Sequence, residues 1–182
     1  SAIGKKILLE TPGTNRQVVS FVPVSDQSDA VNNSSQVAIE ILQRPEGPEV
    51  CTIATRQISR IFQDFPLHAT RELEIPVVIN IPRSAEVDSN RTQPNLADPD
   101  TRKSIASSLG LIPALIEWVK EQNIGGAHLL AEIGAPLEIE DEEKRNEWRE
   151  IARPVLSRLL RLKLVHTDRK STRLNSSHGI IW

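Results

Sequence analysis

Histidine and cysteine side chains are the groups in this sequence best suited to bind a metal ion or to attack a substrate. His68, His128 and His166 lack ligand spacing of the HxxxH type, and none has a second His or a Cys beside it. The pattern therefore does not favour a metal site. The single cysteine, Cys51, excludes an internal disulfide and fits a reducing compartment. It lies in a predicted strand, where a small buried side chain is its usual role.

Carboxylates and glycines could also serve a catalytic or phosphate-binding site. The acidic run 138–147 is interrupted by Lys144 and Arg145, which is typical of a solvated helix face. The sequence contains neither GxxxxGK[ST] nor GxGxxG, and no Ser stands in a GxSxG context. Gly125 and Gly126 are better explained as a break between two elements. No pairing of acid, base and nucleophile supports a small-molecule enzyme.

Short β runs dominate the first 55 residues. The runs 7–10 and 17–22 are separated by the turn residues of 12–15, which predicts a hairpin. The run 36–42 places Val37, Ile39 and Ile41 on one face, and 49–55 follows it after a Pro- and Gly-containing stretch. A second hairpin is therefore expected. Four early strands favour an antiparallel sheet.

The middle of the chain mixes helical and extended patterns. In 56–65 the apolar residues recur at intervals of three and four, which predicts a short helix. The run 73–81 is β-like but contains Pro76, so it is either an edge strand or a strand that begins at Val77. The stretch 125–133 is compatible with a short strand or a turn.

Two longer helical patterns follow. Asp100 is the expected N-cap of a helix over 101–122, and Pro113 should kink or split that helix. The stretch 138–165 is acidic at its start and basic at its end, which suits the helix dipole. Pro154 predicts that this helix also forms two pieces.

This order of elements predicts an α+β fold. Strands come first and helices later, which favours a mostly antiparallel sheet of about five strands with helices on one face. We expect an α+β domain over 1–135 and a truncated helical extension over 136–167. Between the predicted sheet and the helices, the Pro-rich stretch 82–100 is a long loop, and loops of that length are often functional.

The last residues look foreign to the rest of the chain. Residues 168–178 can be written in codons that match a commercial sequencing adapter. We therefore expect 168–182 to be translated adapter and disordered. The chain also starts at Ser1 and contains no Met. Both features predict an internal fragment of a longer protein.

Composition narrows the class of partner. The chain carries 22 Lys and Arg against 24 Asp and Glu, a formal net charge of −2. That balance gives no electrostatic reason to bind nucleic acid. No apolar run approaches the roughly 18 residues that a membrane span needs, and no signal peptide is visible. We expect a cytoplasmic protein without a membrane or nucleic-acid partner.

One stretch, residues 60–92, carries a specific order of aromatic, proline and polar residues. The order runs through Phe62, Phe65-Pro66-Leu67, Thr70, Ile75-Pro76-Val77, Asn80 and Val87-Asp88-Ser89-Asn90-Arg91. It resembles the segment that follows the nucleotide-binding domain in sacsin-like proteins. These belong to the ATPase superfamily that also contains gyrase B, the Bergerat-fold heat-shock chaperones and the histidine kinases. The chain departs from the family's run at three points. It lacks the family's Gly after the strand, it has extra residues around 82–85, and it has Thr92 where the family has a second Arg.

The resemblance implies a transducer-like domain, covering residues 1–135, beside a separate N-terminal ATPase domain. ATP and Mg²⁺ would lie in that other domain, whose Glu- and Asn-bearing helix and DxGxG turn are missing from this sequence. The fragment would hold no cofactor and would not be an enzyme alone, whereas the parent protein would be an ATPase. Arg91 is the first candidate for a cation that contacts the γ-phosphate, and Arg83 is the second. The simpler interpretation is a solvated arginine, or one paired with Asp88 or Glu86.

Two hypotheses of different classes result. In the first, the chain couples the ATP state of its neighbouring ATPase domain to conformational change in a chaperone-like protein that acts on protein clients. In the second, it is a stand-alone protein-interaction module with no ATPase activity. That module would use the Pro-rich loop and an apolar line on the C-terminal helix, formed by Trp148, Ile151, Val155, Leu159 and Leu162.

Overall fold

A computed structural model describes residues 3–10, 15–23, 35–51, 58–134, 142–167 and 170–173. Its main sheet is formed by β1 (Ile3–Glu10), β2 (Arg16–Pro23), β3 (Gln36–Arg44), β4 (Gly47–Cys51), β5 (Ile61–Phe62) and β6 (Val78–Asn80). The α-helices within these residues are α1 (Pro99–Leu109), α2 (Ile112–Glu121) and α3 (Glu142–Leu159). Short 3₁₀ helices span His68–Thr70 and Ala127–Ala131, and β7 (Lys163–Thr167) pairs with β8 (Lys170–Arg173).

The sheet is mixed, and the predicted α+β class is confirmed. The strand order is β1-β2-β3-β6-β5, and β4 pairs with the other half of β3. All neighbours are antiparallel except β5 and β6, which run parallel. The expectation of a mostly antiparallel sheet therefore holds, and the parallel pair is the exception that the patterns did not predict.

Both predicted hairpins form. β1 pairs with β2 from Glu10 opposite Gln17 onward, and β3 pairs with β4 from Arg44 opposite Gly47. The second hairpin closes over a two-residue turn, and Gly47 adopts a φ of 132°, a value that favours glycine. Most of the turn predicted for the first hairpin lies outside the described residues.

One face of the sheet supplies the core. Along β3 burial alternates, and Val37, Ile39 and Ile41 are all buried. Their neighbours in register on the other strands, among them Val19, Phe21, Ile79 and Ile61, are buried as well. Trp118 of α2 meets the Phe21 ring edge-on, with the ring centroids 5.0 Å apart. The helices thus cover the apolar face of an alternating sheet.

The predicted helix over 56–65 is wrong in its described part. Residues 58–65 contain β5 instead, and Ile58 is 46% exposed while Ile61 is fully buried. The Thr70 hydroxyl accepts hydrogen bonds from the backbone N–H groups of Arg60 and Ile61, and Ile79 N–H donates to Arg60 O at 2.8 Å. Pairing with a distant strand has therefore overridden a helical spacing.

The two prolines in helical patterns behave differently. Pro113 splits the pattern as predicted, since α1 ends at Leu109 and Pro113 lies in the first turn of α2. Pro154 lies inside a continuous α3, so the prediction of two pieces is wrong there. The first helix also begins earlier than expected, because Asp98 rather than Asp100 is the N-cap. The stretch 125–133 forms a turn and a 3₁₀ helix.

The C-terminal helix belongs to the same core as the sheet. α3 contacts α1 and α2, and most of its apolar line is buried in the single core cluster, namely Trp148, Ile151, Val155 and Leu159. Leu162 packs against that cluster from its edge. The line that could have bound a partner protein is used within this chain. In the tail, Lys170–Arg173 form β8, which differs from the expected disorder, and 174–182 lie outside the described residues.

Candidate functional site

The candidate site lies where the parallel strands β5 and β6 end. Neighbouring parallel strands finish at the same edge of a sheet, so the loops that follow them lie side by side. The loop after β5 is 63–66, the loop after β6 is 82–85, and a tight turn at 88–93 follows on the same connection to α1. These three segments, named here the carboxyl-edge site, carry both candidate arginines.

Gln63 joins the first two loops. Its side chain is buried, and its amide Nε2 donates to the carbonyl oxygens of Pro82 at 3.1 Å and Ala85 at 2.6 Å. The Arg83 carbonyl lies 3.5 Å from the same nitrogen. The Pro82 carbonyl also accepts from the Ala85 N–H at 3.0 Å, so the buried amide is a second donor to Pro82 and supplies a short hydrogen bond to the Ala85 carbonyl. Sequence reasoning did not identify Gln63, because no local pattern reports a contact over 19 residues.

We expect Gln63→Leu to lower the free energy of unfolding by about 2 to 3 kcal/mol. Leucine fills most of the volume but removes the amide donor to the Ala85 carbonyl, and leaving a buried acceptor without a donor costs about 1 to 3 kcal/mol. Chemical denaturation of the variant beside wild type measures the change. Gln43→Leu is the matched control, since that glutamine is exposed on β3. A Gln63→Leu chain as stable as the control would show that the amide does not hold the loop.

Arg83 forms an ion pair with Asp64 of the preceding loop. Its Nε donates to the Asp64 Oδ2, and the two side chains remain 67% and 44% exposed. From the sequence, Asp88 and Glu86 were named as possible carboxylate partners of the arginine. The observed partner of Arg83 is Asp64 instead. Asp64 has a positive φ of 59°, a conformation that Asp tolerates better than most residues. Exposed pairs of this kind contribute little stability.

Asp88 builds the turn that carries Arg91. Its carboxylate accepts hydrogen bonds from the Thr92 backbone N–H at 2.6 Å, the Thr92 hydroxyl at 2.8 Å and the Gln93 N–H at 3.0 Å. Arg91 N–H donates to the Asp88 carbonyl at 2.9 Å. Desolvation opposes ionisation of Asp88, but the hydrogen bonds from Gln93 and Thr92 outweigh it and lower the pKa of its carboxyl group.

The turn should therefore lose stability in acid. Because the pKa of Asp88 is depressed in the folded chain, its contribution is present above the ordinary aspartate pKa of about 4 and is lost as the pH falls through the folded value. We expect Asp88→Asn to be less stable than wild type at pH 6, with a smaller difference at pH 3. Denaturation midpoints at both pH values measure this. Glu72→Gln, at an exposed carboxylate, controls for general charge effects. A pH-independent difference would contradict the assignment.

Arg91 is exposed at the tip of this turn. Its φ is 55°, and its guanidinium carbon lies 5.3 Å from the centroid of the Phe65 ring. That distance is within the range of a cation–π contact. No carboxylate of the described residues forms an ion pair with Arg91. The carboxyl-edge site therefore holds one arginine on a carboxylate and one on an aromatic ring, at adjacent positions of loop 63–66.

A third arginine near these strands has a different environment. Arg60, just before β5, is buried, and burial lowers the pKa of its guanidinium. Its Nε donates to the Leu73 carbonyl at 3.3 Å. It therefore lies inside the fold, whereas Arg83 and Arg91 face outward. From the sequence, Arg83 and Arg91 were named as candidates and Arg60 was not, and the structure gives Arg60 a buried position.

The other sequence candidates lie outside the carboxyl-edge site. His128 is exposed, and His68, also exposed, contacts Arg71 through its ring nitrogen at 3.2 Å. The side chain of His166 lies outside the described residues. In the described part of the chain, no cluster of His, Cys, Asp or Glu is arranged to hold a metal ion. Cys51 is half-buried in β4, where burial and then the Glu40 charge raise the pKa of its thiol.

The acidic run is solvated where it is described, since Glu142 and Glu143 at the start of α3 are exposed. Among the described residues, no helix has both the length and the apolar character required to cross a bilayer.

Chemically, the carboxyl-edge site can contact an anion. Guanidinium groups bind phosphate and carboxylate oxygens with two parallel hydrogen bonds, and loops on a rigid sheet edge are suited to presenting them. Comparison with known proteins found no match to this chain. This holds for protein-family models, for curated proteins and for solved structures.

Proposed function

We propose that this chain is the coupling part of a Bergerat-fold, chaperone-like ATPase. In this proposal the carboxyl-edge site contacts the terminal phosphate of an ATP molecule that a separate nucleotide-binding domain holds together with Mg²⁺. Arg91 is the principal contact and Arg83 the second. The chain itself is not the catalyst, and its role is to transmit the nucleotide state as a change in loop position.

The observation that carries the proposal is the pair of exposed arginines at one sheet edge. Arg83 and Arg91 are eight residues apart in sequence, yet both contact loop 63–66, at Asp64 and Phe65. Both arginines are exposed, and neither belongs to the core cluster of the described residues. Two cations that contact adjacent residues of one loop match the charge of a phosphate group better than that of a single carboxylate.

The backbone at Arg91 supports a functional role for its side chain. A non-glycine residue at positive φ costs about 1 to 2 kcal/mol, and glycine would remove that cost. Strained residues of this kind cluster at functional sites. An arginine at φ 55° with its guanidinium over the Phe65 ring is thus consistent with a functional role for that guanidinium.

The ligand class comes from the resemblance of residues 60–92 to the sacsin-like segment. Arg91 ends the matching run, and the same run contributes Phe65, the ring on which its guanidinium lies. A cation at this position would stabilise the charge that develops on a transferred phosphoryl group. Protein clients of the parent protein are part of the same proposal.

The test is ATP turnover in a longer polypeptide that joins this chain to its nucleotide-binding domain. Arg91→Ala and Arg83→Ala are compared with wild type for both hydrolysis and nucleotide affinity. The alternative of a stand-alone interaction module receives less support, because Trp148, Ile151, Val155 and Leu159 are buried within this chain.

A further inference from the structure

We propose that Asp64 is a specificity-determining residue of the carboxyl-edge site. Its carboxylate competes with an incoming anion for Arg83. The inference rests on the proposed function and adds a regulatory element to it. The Asp64 carboxylate forms an ion pair with Arg83. An incoming anion must displace this carboxylate or bind Arg91 alone.

The pairing is built into the fold by contacts on both sides. Asp64 directly follows Gln63, whose amide binds the carbonyls of Pro82 and Ala85, so the backbones that carry Asp64 and Arg83 are held together. The positive φ of Asp64 is one that aspartate and asparagine adopt more readily than other residues. The carboxylate is therefore directed at Arg83 by its supporting loops.

The exposed ion pair between Arg83 and Asp64 favours a multiply charged ligand. Asp88 and Glu86 also lie nearby and stay negatively charged, but their carboxylates accept hydrogen bonds from Thr92, Gln93 and Asn95 and form no ion pair with either arginine among the described residues. An exposed ion pair is weak enough for a polyphosphate to break. A singly charged anion gains too little from Arg83 to replace a carboxylate already in place. Asp64 thereby selects for the terminal phosphate of a nucleotide over monovalent anions.

Displacement of Asp64 from Arg83 would also signal that an anion is bound at the carboxyl-edge site. Asp64 and Phe65 are consecutive, so an anion that takes Arg83 from Asp64 acts on the same loop that supports Arg91. Loop 63–66 is joined directly to β5, which pairs with β6 inside the sheet. The two arginines would then respond to one ligand as a unit.

The experiment titrates the chain with inorganic tripolyphosphate and follows the arginine Nε–H signals by NMR. We expect Asp64→Asn to bind tripolyphosphate about two- to fivefold more tightly than wild type, the factor associated with one exposed ion pair. Asparagine tolerates the positive φ, so the variant keeps the loop conformation. Glu49→Gln is the matched control, because Glu49 pairs with Arg44 Nε at 2.7 Å with side chains 41% and 53% exposed. That variant should bind as wild type does.

Arg83→Ala identifies the route of the effect. In an Arg83→Ala background, Asp64→Asn should no longer tighten binding beyond what Glu49→Gln does. Tripolyphosphate affinity of Asp64→Asn equal to or lower than that of wild type would overturn the inference. A gain in affinity that persists in the Arg83→Ala background would overturn it as well. If binding still depended on Arg91, the proposed function would stand. Absence of tripolyphosphate binding by wild type and Asp64→Asn alike would also overturn the inference, whereas the proposed function is tested separately by the ATP turnover of Arg91→Ala.

Discussion

Arg91→Ala should lower the rate of ATP hydrolysis by about 100-fold or more when this chain is joined to the nucleotide-binding domain that the proposed function requires, with nucleotide affinity changed by less than about threefold. Removal of one electrostatic contact to a developing charge typically costs about 100- to 1,000-fold in turnover. The ground-state nucleotide would keep its contacts in its own domain. Catalytic rate is therefore expected to change far more than binding.

The geometry explains why the loss should be specific to the charge. Arg91 is exposed, its guanidinium contacts the Phe65 ring at 5.3 Å, and the turn beneath it is held by the Asp88 carboxylate. Truncation to alanine leaves the Asp88 hydrogen bonds in place, because they involve Thr92 and Gln93. Folding of the turn should thus be preserved while the cation is lost.

Steady-state turnover and equilibrium nucleotide binding measure the two quantities separately. Arg153→Ala is the control, since Arg153 is an exposed arginine of α3 that pairs with Glu150 at 3.3 Å. It removes the same charge far along the chain and should leave both quantities unchanged. Turnover of Arg91→Ala equal to that of the control would remove Arg91 from the mechanism and with it the central support for the proposed function.

Local patterns predicted the parts of this fold that local contacts decide. The hairpins β1–β2 and β3–β4 were predicted from alternating runs and turn residues, and their partners are adjacent in sequence. The segment around β5 was assigned to a helix, because its spacing fits one, yet its backbone pairs with β6 and with the Thr70 hydroxyl. Contacts between residues distant in sequence leave no trace in a spacing pattern.

The two helix prolines show how much position matters. Pro113 follows the end of α1 closely enough to occupy the first turn of α2, where a missing N–H costs nothing. Pro154 lies mid-helix, and the buried residues Val155, Leu156 and Leu159 follow it in the same helix. Packing of that apolar line outweighs the cost of one lost hydrogen bond. The sequence predicts a helix break at both prolines, and only the tertiary contacts show that the helix continues through Pro154.

For the candidate site, the sequence supplied the arginines and the structure supplied their surroundings. Arg91 and Arg83 were identified as candidates from a family resemblance, which depends on the order of residues in 60–92. The roles of Gln63, Asp64 and Phe65 depend on side chains meeting across some 20 residues of chain. Such pairings can be inferred only after the parallel arrangement of β5 and β6 is known.

Trp148→Ala is expected to lower the free energy of unfolding by about 3 to 5 kcal/mol, the range for removal of a large buried aromatic side chain. Trp148 is only 1% exposed, and it lies in the same core cluster as the β3 residues Val37 and Ile39. α3 contacts α1 and α2, and α1 contacts β3 and β6. A cavity beneath α3 should therefore destabilise the sheet as well as the helix.

Matched variants separate volume from polarity. The indole N–H of Trp148 is buried without an acceptor among the described residues, so Trp148→Phe removes an unsatisfied donor along with part of the ring. We expect that variant to cost less than about 1.5 kcal/mol. Leu160→Ala, at a side chain 37% exposed just beyond α3, should cost about 0.5 kcal/mol or less. Denaturant midpoints rank the three variants.

Native-state hydrogen exchange then shows how far the destabilisation extends. If α3 and the sheet form one cooperative unit, Trp148→Ala should reduce protection at the β3 amides as much as at the α3 amides. Loss of protection confined to α3 would instead make the helix a separately folding extension. In that case its buried line of Ile151, Val155 and Leu159 could be released without unfolding the carboxyl-edge site, and the interaction-module hypothesis would regain its binding surface.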